Sequence, residues 1–117
     1  YLRLVTSTPS NAAGGVEVTG GSYARQALAS SLTALSGTQG AGTTTASTGT
    51  GGRTSNNAAI TWAAPTPNWG TVVAVESLDA SSGGNRLWWS LLGAPKTLNN
   101  GSLPAKFDPN ALGFTFA

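Results

Sequence analysis

The chain has 117 residues, 71 of them Ala, Gly, Thr, Ser or Asn and only 28 of them Leu, Val, Ile, Phe, Trp or Tyr. That leaves material for one thin core, because a domain of this size buries only about two-thirds of its unfolded surface. Six basic residues against four acidic ones give a net charge of +2, which is not the high charge of a disordered chain, and the absence of Cys and His excludes disulfides, thiolate nucleophiles, the usual zinc sites and His general-base catalysis.

Tyr1 to Thr6 alternates with a two-residue period and stops at Thr8-Pro9-Ser10-Asn11, which predicts a strand and then a turn. The chain therefore opens inside a strand, as expected of a processed or cut N-terminus. After the Gly20-Gly21 punctuation, Ser22 to Leu28 alternates large and small residues as a strand with one packed face. Leu28, Leu32 and Leu35 recur at four and three, so Ala27 to Leu35 could be a short helix, although strand is preferred. From Ser36 to Asn57 no Leu, Ile, Val, Phe, Trp or Tyr occurs, and a Gly/Thr-rich loop is expected there, held by a neighbouring chain.

The second half is denser in apolar residues. Ala58 to Trp62 predicts a strand ended by Pro65 and Pro67, and Thr71 to Leu78 is a β-branched run suited to a central strand. Ala80 to Asn85 is a Ser-Gly-Gly turn leading to the apolar strand Leu87 to Leu92, so the two strands make a hairpin. Asn99-Asn100-Gly101 carries a second hairpin signal, and Leu112, Phe114 and Phe116 give a last strand with one apolar face. Seven or eight short strands predict a single all-β domain over 1–117, an antiparallel sandwich or a jelly-roll-like barrel.

The chemistry is sparse. Glu17, Glu76, Asp79 and Asp108 are the only carboxylates, and the three-residue spacing of Glu76 and Asp79 has no catalytic meaning; both read as solvated strand-end acids, with Asp79 capping its own turn. A serine nucleophile would need Lys96 or Lys106 as its base, in no recognisable motif. Gly49 to Gly52 lacks the Lys of a phosphate loop. No enzyme reading survives, and no cofactor, metal or small-molecule substrate is implied. Arg3, Arg25, Arg53, Arg86, Lys96 and Lys106 stand singly, without the cluster that nucleic-acid binding needs, and no apolar run reaches the roughly 18 residues of a membrane span.

Four tryptophans are the one enrichment that points to recognition. Alternation sends Trp88 and Trp89 to opposite faces; Leu87, Trp89 and Leu91 make the more apolar set, so Trp89 is expected in the core and Trp88 under a loop or a partner. The candidate partner contacts are Trp88 and Trp69, with Arg53, Thr44 and Thr45 in the Gly/Thr-rich loop.

Val18-Thr19-Gly20-Gly21-Ser22-Tyr23-Ala24-Arg25-Gln26, Trp69-Gly70-Thr71-Val72, Asp79-Ala80 with Gly83-Gly84-Asn85, and Pro95-Lys96-Thr97 follow one another in an order that resembles a known family. These are small virion proteins of tailed bacteriophages that carry the label phage tail fiber protein. The resemblance runs from Tyr1 to Phe116. It implies a helical segment ahead of the Tyr1 strand in the full gene product, and a Ser36 to Asn57 stretch longer than usual. It also implies a non-enzymatic virion role. Because the chain has no shaft-like repeat or heptad pattern, the expected role is capsid decoration, a cement protein on the outer head surface that contacts the major capsid protein and copies of itself, with a trimer favoured. The other readings are a tail-fibre, tail-tip or baseplate component, or a receptor- or carbohydrate-binding module that uses Trp69, Trp88 or Trp89 beside Asn85 and Arg86.

Overall fold

The computed structural model describes residues 1–31, 33–35 and 53–115. It is all-β and antiparallel, with seven short strands: β1 (Leu2–Val5), β2 (Arg53–Ser55), β3 (Ile60–Thr61), β4 (Gly70–Leu78), β5 (Arg86–Leu98), β6 (Lys106–Phe107) and β7 (Gly113–Thr115). They form a three-stranded sheet in the order β1-β4-β5 and two two-stranded sheets, β2-β7 and β3-β6. Among the described residues there is no helix and no closed barrel. Two compact units result: Tyr1–Ala27 with Trp62–Ala105, and Leu28–Thr61 with Lys106–Ala117.

The first unit holds the three-stranded sheet. β4 is its central strand, and from Ala74 to Leu78 every side chain is buried, Glu76 and Ser77 included. β1 pairs with it in the register Leu2 with Ser77, Arg3 with Glu76, Leu4 with Val75 and Val5 with Ala74. The other edge of β1 is closed by the chain between Val16 and Gln26. Leu2 exchanges two backbone bonds with Gln26, Thr6 N–H donates to the Val16 carbonyl, and Val18 N–H donates to that of Leu4. Leu4 N–H donates to the Tyr23 hydroxyl at 3.0 Å. A phenol thus takes one rung of the ladder, and Ser22 to Leu28, expected as a strand, makes a single isolated bridge, Gln26 with Leu2. Gly21 permits this path: it has φ +57°, and a Cβ there would overlap the Thr66 carbonyl.

β4 and β5 form the expected hairpin, but β5 runs on to Leu98 and is bulged twice. Leu78 pairs with Arg86 and Ser77 with Trp88, leaving Leu87 unpaired; Val73 then stands opposite the four residues Leu92 to Pro95. The Asn99-Asn100-Gly101 turn also forms, with Gly101 at φ +78°, yet no hairpin follows, because the chain leaves the sheet to build β6 against β3. Trp62 and Trp69 are the buried tryptophans, at 1% and 4% exposure, whereas Trp88 and Trp89 are both half-buried. The expected core position of Trp89 is therefore corrected. Alternation does put the two rings on opposite faces, but Trp89 pairs with Glu76 on the face that carries Arg3, while Trp88 pairs with Ser77 on the face of Leu2 and Leu4.

In the second unit Arg53 to Ser55 is not a loop; it pairs with Gly113 to Thr115 of the same chain. Ala27 to Leu35, read as strand or helix, contributes a single turn closed by Leu35 N–H donating to the Ser31 carbonyl, and a bridge from Leu35 to Asn56. Leu32, the stretch 36–52 and Phe116 lie outside the described residues.

Candidate functional site

The densest polar construction stands on the Arg3-bearing face of the three-stranded sheet. The register brings Arg3 of β1, Glu76 of β4 and Trp89 of β5 into one row. The Glu76 side chain is fully buried. Arg3 Nε donates to Glu76 Oε2, Arg86 Nη1 reaches Glu76 Oε1 at 3.1 Å, and Gly15 N–H donates to Glu76 Oε1 at 3.0 Å. The segment from Ser10 to Gly15 folds over this row, and Gly14 and Gly15 let its backbone come close because they carry no side chain. A Cβ on Gly14 would sit 2.6 Å from an Arg3 nitrogen, and one on Gly15 2.5 Å from the Ser7 carbonyl. Arg86 fastens the same segment by donating to the carbonyls of Ser10, Asn11 and Ala13, and Trp89 Nε1 donates to Asn11 Oδ1.

Arg3 also reaches Glu17 at 3.3 Å, and Glu17 is gripped by Arg25 through Nε at 2.8 Å and Nη2 at 2.7 Å. Arg25 Nη1 spans to the carbonyls of Ala80 and Gly83, tying the β4–β5 turn to the same network. Glu17 and Glu76 both titrate below the usual carboxylate range. Burial pushes each carboxyl up, but for Glu17 the Arg25 and Arg3 guanidiniums reverse this, and for Glu76 the Gly15 amide, Arg86 and Arg3 do. Burial pushes the Tyr23 phenol above its usual range, so its hydroxyl stays protonated as it accepts from Leu4 and donates to Glu17.

A consequence follows for acid stability. Carboxyls depressed in the folded state stabilise it at pH values above their unfolded pKa of about 4.3, and that contribution disappears as pH falls through the folded values. The thermal midpoint is therefore expected to be level between about pH 7 and pH 5 and to fall below about pH 4. A midpoint that stays level in the acid range would show that the two carboxyls are not held by this network.

Beside the network, Asn11, Arg86, Leu87, Trp88 and Trp89 line an open hollow of ≈ 470 Å³ at the start of β5. A smaller one of ≈ 310 Å³ lies against Glu17, Tyr23, Arg25, Ser81 and Ser82. Of the candidate partner contacts Trp88, Trp69, Arg53, Thr44 and Thr45, the larger hollow holds Trp88, and with it Trp89 and Arg86 of the receptor-binding reading. Trp69 is core: its ring meets that of Tyr23 edge to face at 5.3 Å, so it is no surface platform. Arg53 is exposed in the second unit, with its guanidinium lying over Gly113. Thr44 and Thr45 lie outside the described residues. Asn85 serves the turn, donating from its amide and its backbone to Asp79, and Asp79 caps that turn as expected.

Glu76, read from the sequence as a solvated strand-end acid, is the most deeply placed charge described. Its position within a β-branched run was the available signal, since a lone acid among buried neighbours calls for a partner. Asn56 was missed as well, and it is 0% exposed. Its amide donates to the carbonyls of Ala58 and Asp108 and its oxygen accepts from Leu112 N–H, pinning the second unit. Among the described residues, no three Asp or Glu come together as a metal site.

No curated protein and no solved structure matches the chain. A family model described as Podophage GP4 fiber I protein gp80 matches residues 1–115. With almost its entire length matched, the chain belongs to that family of phage tail fibre proteins.

Proposed function

We propose that the chain is a non-enzymatic structural component of a podophage tail fibre, joined to other tail proteins and to copies of itself. The family match over residues 1–115 carries this reading, and it favours the tail over the outer capsid surface. The chain carries no internal repeat, and a compact, well-fastened module used in many copies of a fibre needs none. Capsid decoration, expected from the missing repeat and from a neutral Ala/Gly/Thr-rich surface, is less well supported than the fibre reading, which the family match favours.

The fate of the carboxylates supports a scaffold. Glu17 and Glu76 are spent on arginines, Asp79 on Asn85 and Asp108 on Lys106. Glu17, Glu76 and Asp79 are shifted downward, the direction opposite to that of a general acid. Arg3, Arg25 and Arg86 are turned inward onto carboxylates, which leaves few cations for phosphates. A receptor-binding reading draws on the hollow with Trp88 and Trp89, but Arg86 there is already shared among three carbonyls and Glu76.

Gold-labelled antibody raised against the chain is expected to mark the tails of intact virions. Label on the head shell overturns the fibre reading in favour of capsid decoration. Purified protein is expected to turn over no glycan, and hydrolysis abolished by Glu17→Gln would make the module an enzyme.

A further inference from the structure

The turn Asn99-Asn100-Gly101-Ser102 follows β5 and closes on itself: Ser102 N–H donates to the Asn99 carbonyl at 2.9 Å, and Asn99 N–H to Ser102 Oγ at 3.0 Å. Two consecutive amides tie it to the loop between β3 and β4. Asn100 N–H donates to Asn68 Oδ1 at 2.7 Å, and Gly101 N–H to the Pro65 carbonyl at 3.1 Å. Asn100 and Gly101 are both exposed, and among the described residues none bonds the Asn100 side chain. Gly101 has φ +78°, and the space where a Cβ would stand is open.

Asparagine amides are thermolabile, and this one differs from the rest in the chain. Of the eight asparagines, Asn100 alone precedes a glycine. Asn56 is buried with its amide bonded twice, and Asn85 donates its amide to Asp79. The side-chain oxygens of Asn11 and Asn68 accept from Trp89 and from the Asn100 backbone. Asn57, Asn99 and Asn110 are followed by Ala58, Asn100 and Ala111, each of which sets a Cβ beside its own backbone nitrogen. At Gly101 no Cβ shields that nitrogen.

We propose that Asn100 is a site of spontaneous covalent modification in the folded chain, where its side chain loses ammonia to attack by the Gly101 backbone. Solvent hydroxide takes the Gly101 N–H proton, and the nitrogen adds to Asn100 Cγ. The bond from Cγ to the side-chain nitrogen breaks, ammonia leaves with a proton from water, and a succinimide ring is closed. Water then opens the ring. Cleavage at Cγ gives aspartate, and cleavage at the main-chain carbonyl gives isoaspartate; the balance is one water consumed and one ammonia released. The reacting groups are neighbours on one chain, so no partner has to be gathered. The attack requires only that the exposed bond to Pro65 open, not that the sheet unfold. Either product lowers the net charge of +2 by one. Isoaspartate also inserts a carbon between the two amides that tie the turn to Pro65 and Asn68, so both ties are no longer made together. This inference stands on the turn alone and not on the fibre assignment.

The test keeps the full chain folded in mildly alkaline buffer and samples it over time by tryptic digestion, which releases residues 97–106 between Lys96 and Lys106 as one peptide. A synthetic peptide of the same residues sets the pace of the unfolded sequence. The folded chain is expected to lose the Asn100 amide at a rate within about tenfold of the peptide's, since one exposed hydrogen bond must open first. Fragmentation is expected to place the change at residue 100, and an isoaspartyl methyltransferase to methylate the product, while the other asparagines keep their amides. Asn100→Gln, whose longer side chain closes a ring more slowly, is expected to abolish the reaction and leave the thermal midpoint unchanged. In the aged chain the Gly101 N–H is expected to lose its exchange protection, while Trp69 N–H, bonded to the Leu98 carbonyl, keeps its own. A folded-chain rate slower than tenfold below the peptide's, or earlier loss at any other asparagine, overturns the proposal.

Discussion

Glu76→Ala is expected to destabilise the first unit by about 3–5 kcal/mol, the range for removing one member of a buried ion pair. The carboxylate, fully buried, is held by two guanidiniums and one amide. Its removal leaves Arg86, its side chain 17% exposed, without a counter-charge, and leaves Arg3, 15% exposed, with only the longer contact to Glu17 at 3.3 Å. It also frees the Gly15 amide and so loosens the segment that Arg86 fastens. Arg3→Met together with Glu76→Leu is expected to recover part of the loss, because an apolar pair fills the site and leaves Arg86 as the one arginine that has lost its carboxylate. Chemical denaturation of both variants measures the difference; equal stability of the single variant and the native chain would mean that the network is only a surface ornament.

Asn56→Ala is the corresponding expected result for the second unit. One buried side chain satisfies the carbonyls of Ala58 and Asp108 and the amide of Leu112, and its own backbone bonds Leu112 and Asn110. The truncation strands three backbone groups at roughly 1–3 kcal/mol each, so a loss of about 3–5 kcal/mol is expected after partial relaxation. Amide exchange separates this effect from that of Glu76: protection should fall first at Asn110 and Leu112, while β1 and β4 keep theirs. Simultaneous loss at all of these sites would make the unfolding a single event.

The parts of the fold legible in the sequence were those written in periodicity. β1, β4 and the first half of β5 follow from alternation or β-branched runs, and the Asp79 turn follows from its Ser-Gly-Gly chemistry. Partner choice was less legible. Asn99-Asn100-Gly101 makes its turn, but a turn signal does not say whether the next strand returns to the same sheet. Nor could local pattern show that Arg53 to Ser55 would find Gly113 to Thr115, since a short polar segment advertises no face. For the tryptophans, alternation fixed their separation onto two faces but not which face is apolar. Arg3 and Glu76 decide that, and they meet only through a long-range register. Asn56 gives no sequence signal, because an asparagine among Ser and Asn reads as solvated until its three partners are known.

The pairing of β1 with β4 also has a temporal side. Arg3 and Glu76 are 73 residues apart in sequence. During synthesis at about 5–20 residues per second, the first strand must therefore wait roughly 4–15 s for its neighbour to leave the ribosome. Over that interval the native backbone partners already made for β1 include those of the chain up to Gln26, through the bridges of Val5 to Glu17 and Leu2 to Gln26. The Tyr23 hydroxyl on the Leu4 amide thus belongs to the earliest native contacts open to the nascent chain, and it shelters an apolar strand before the sheet that will bury it exists.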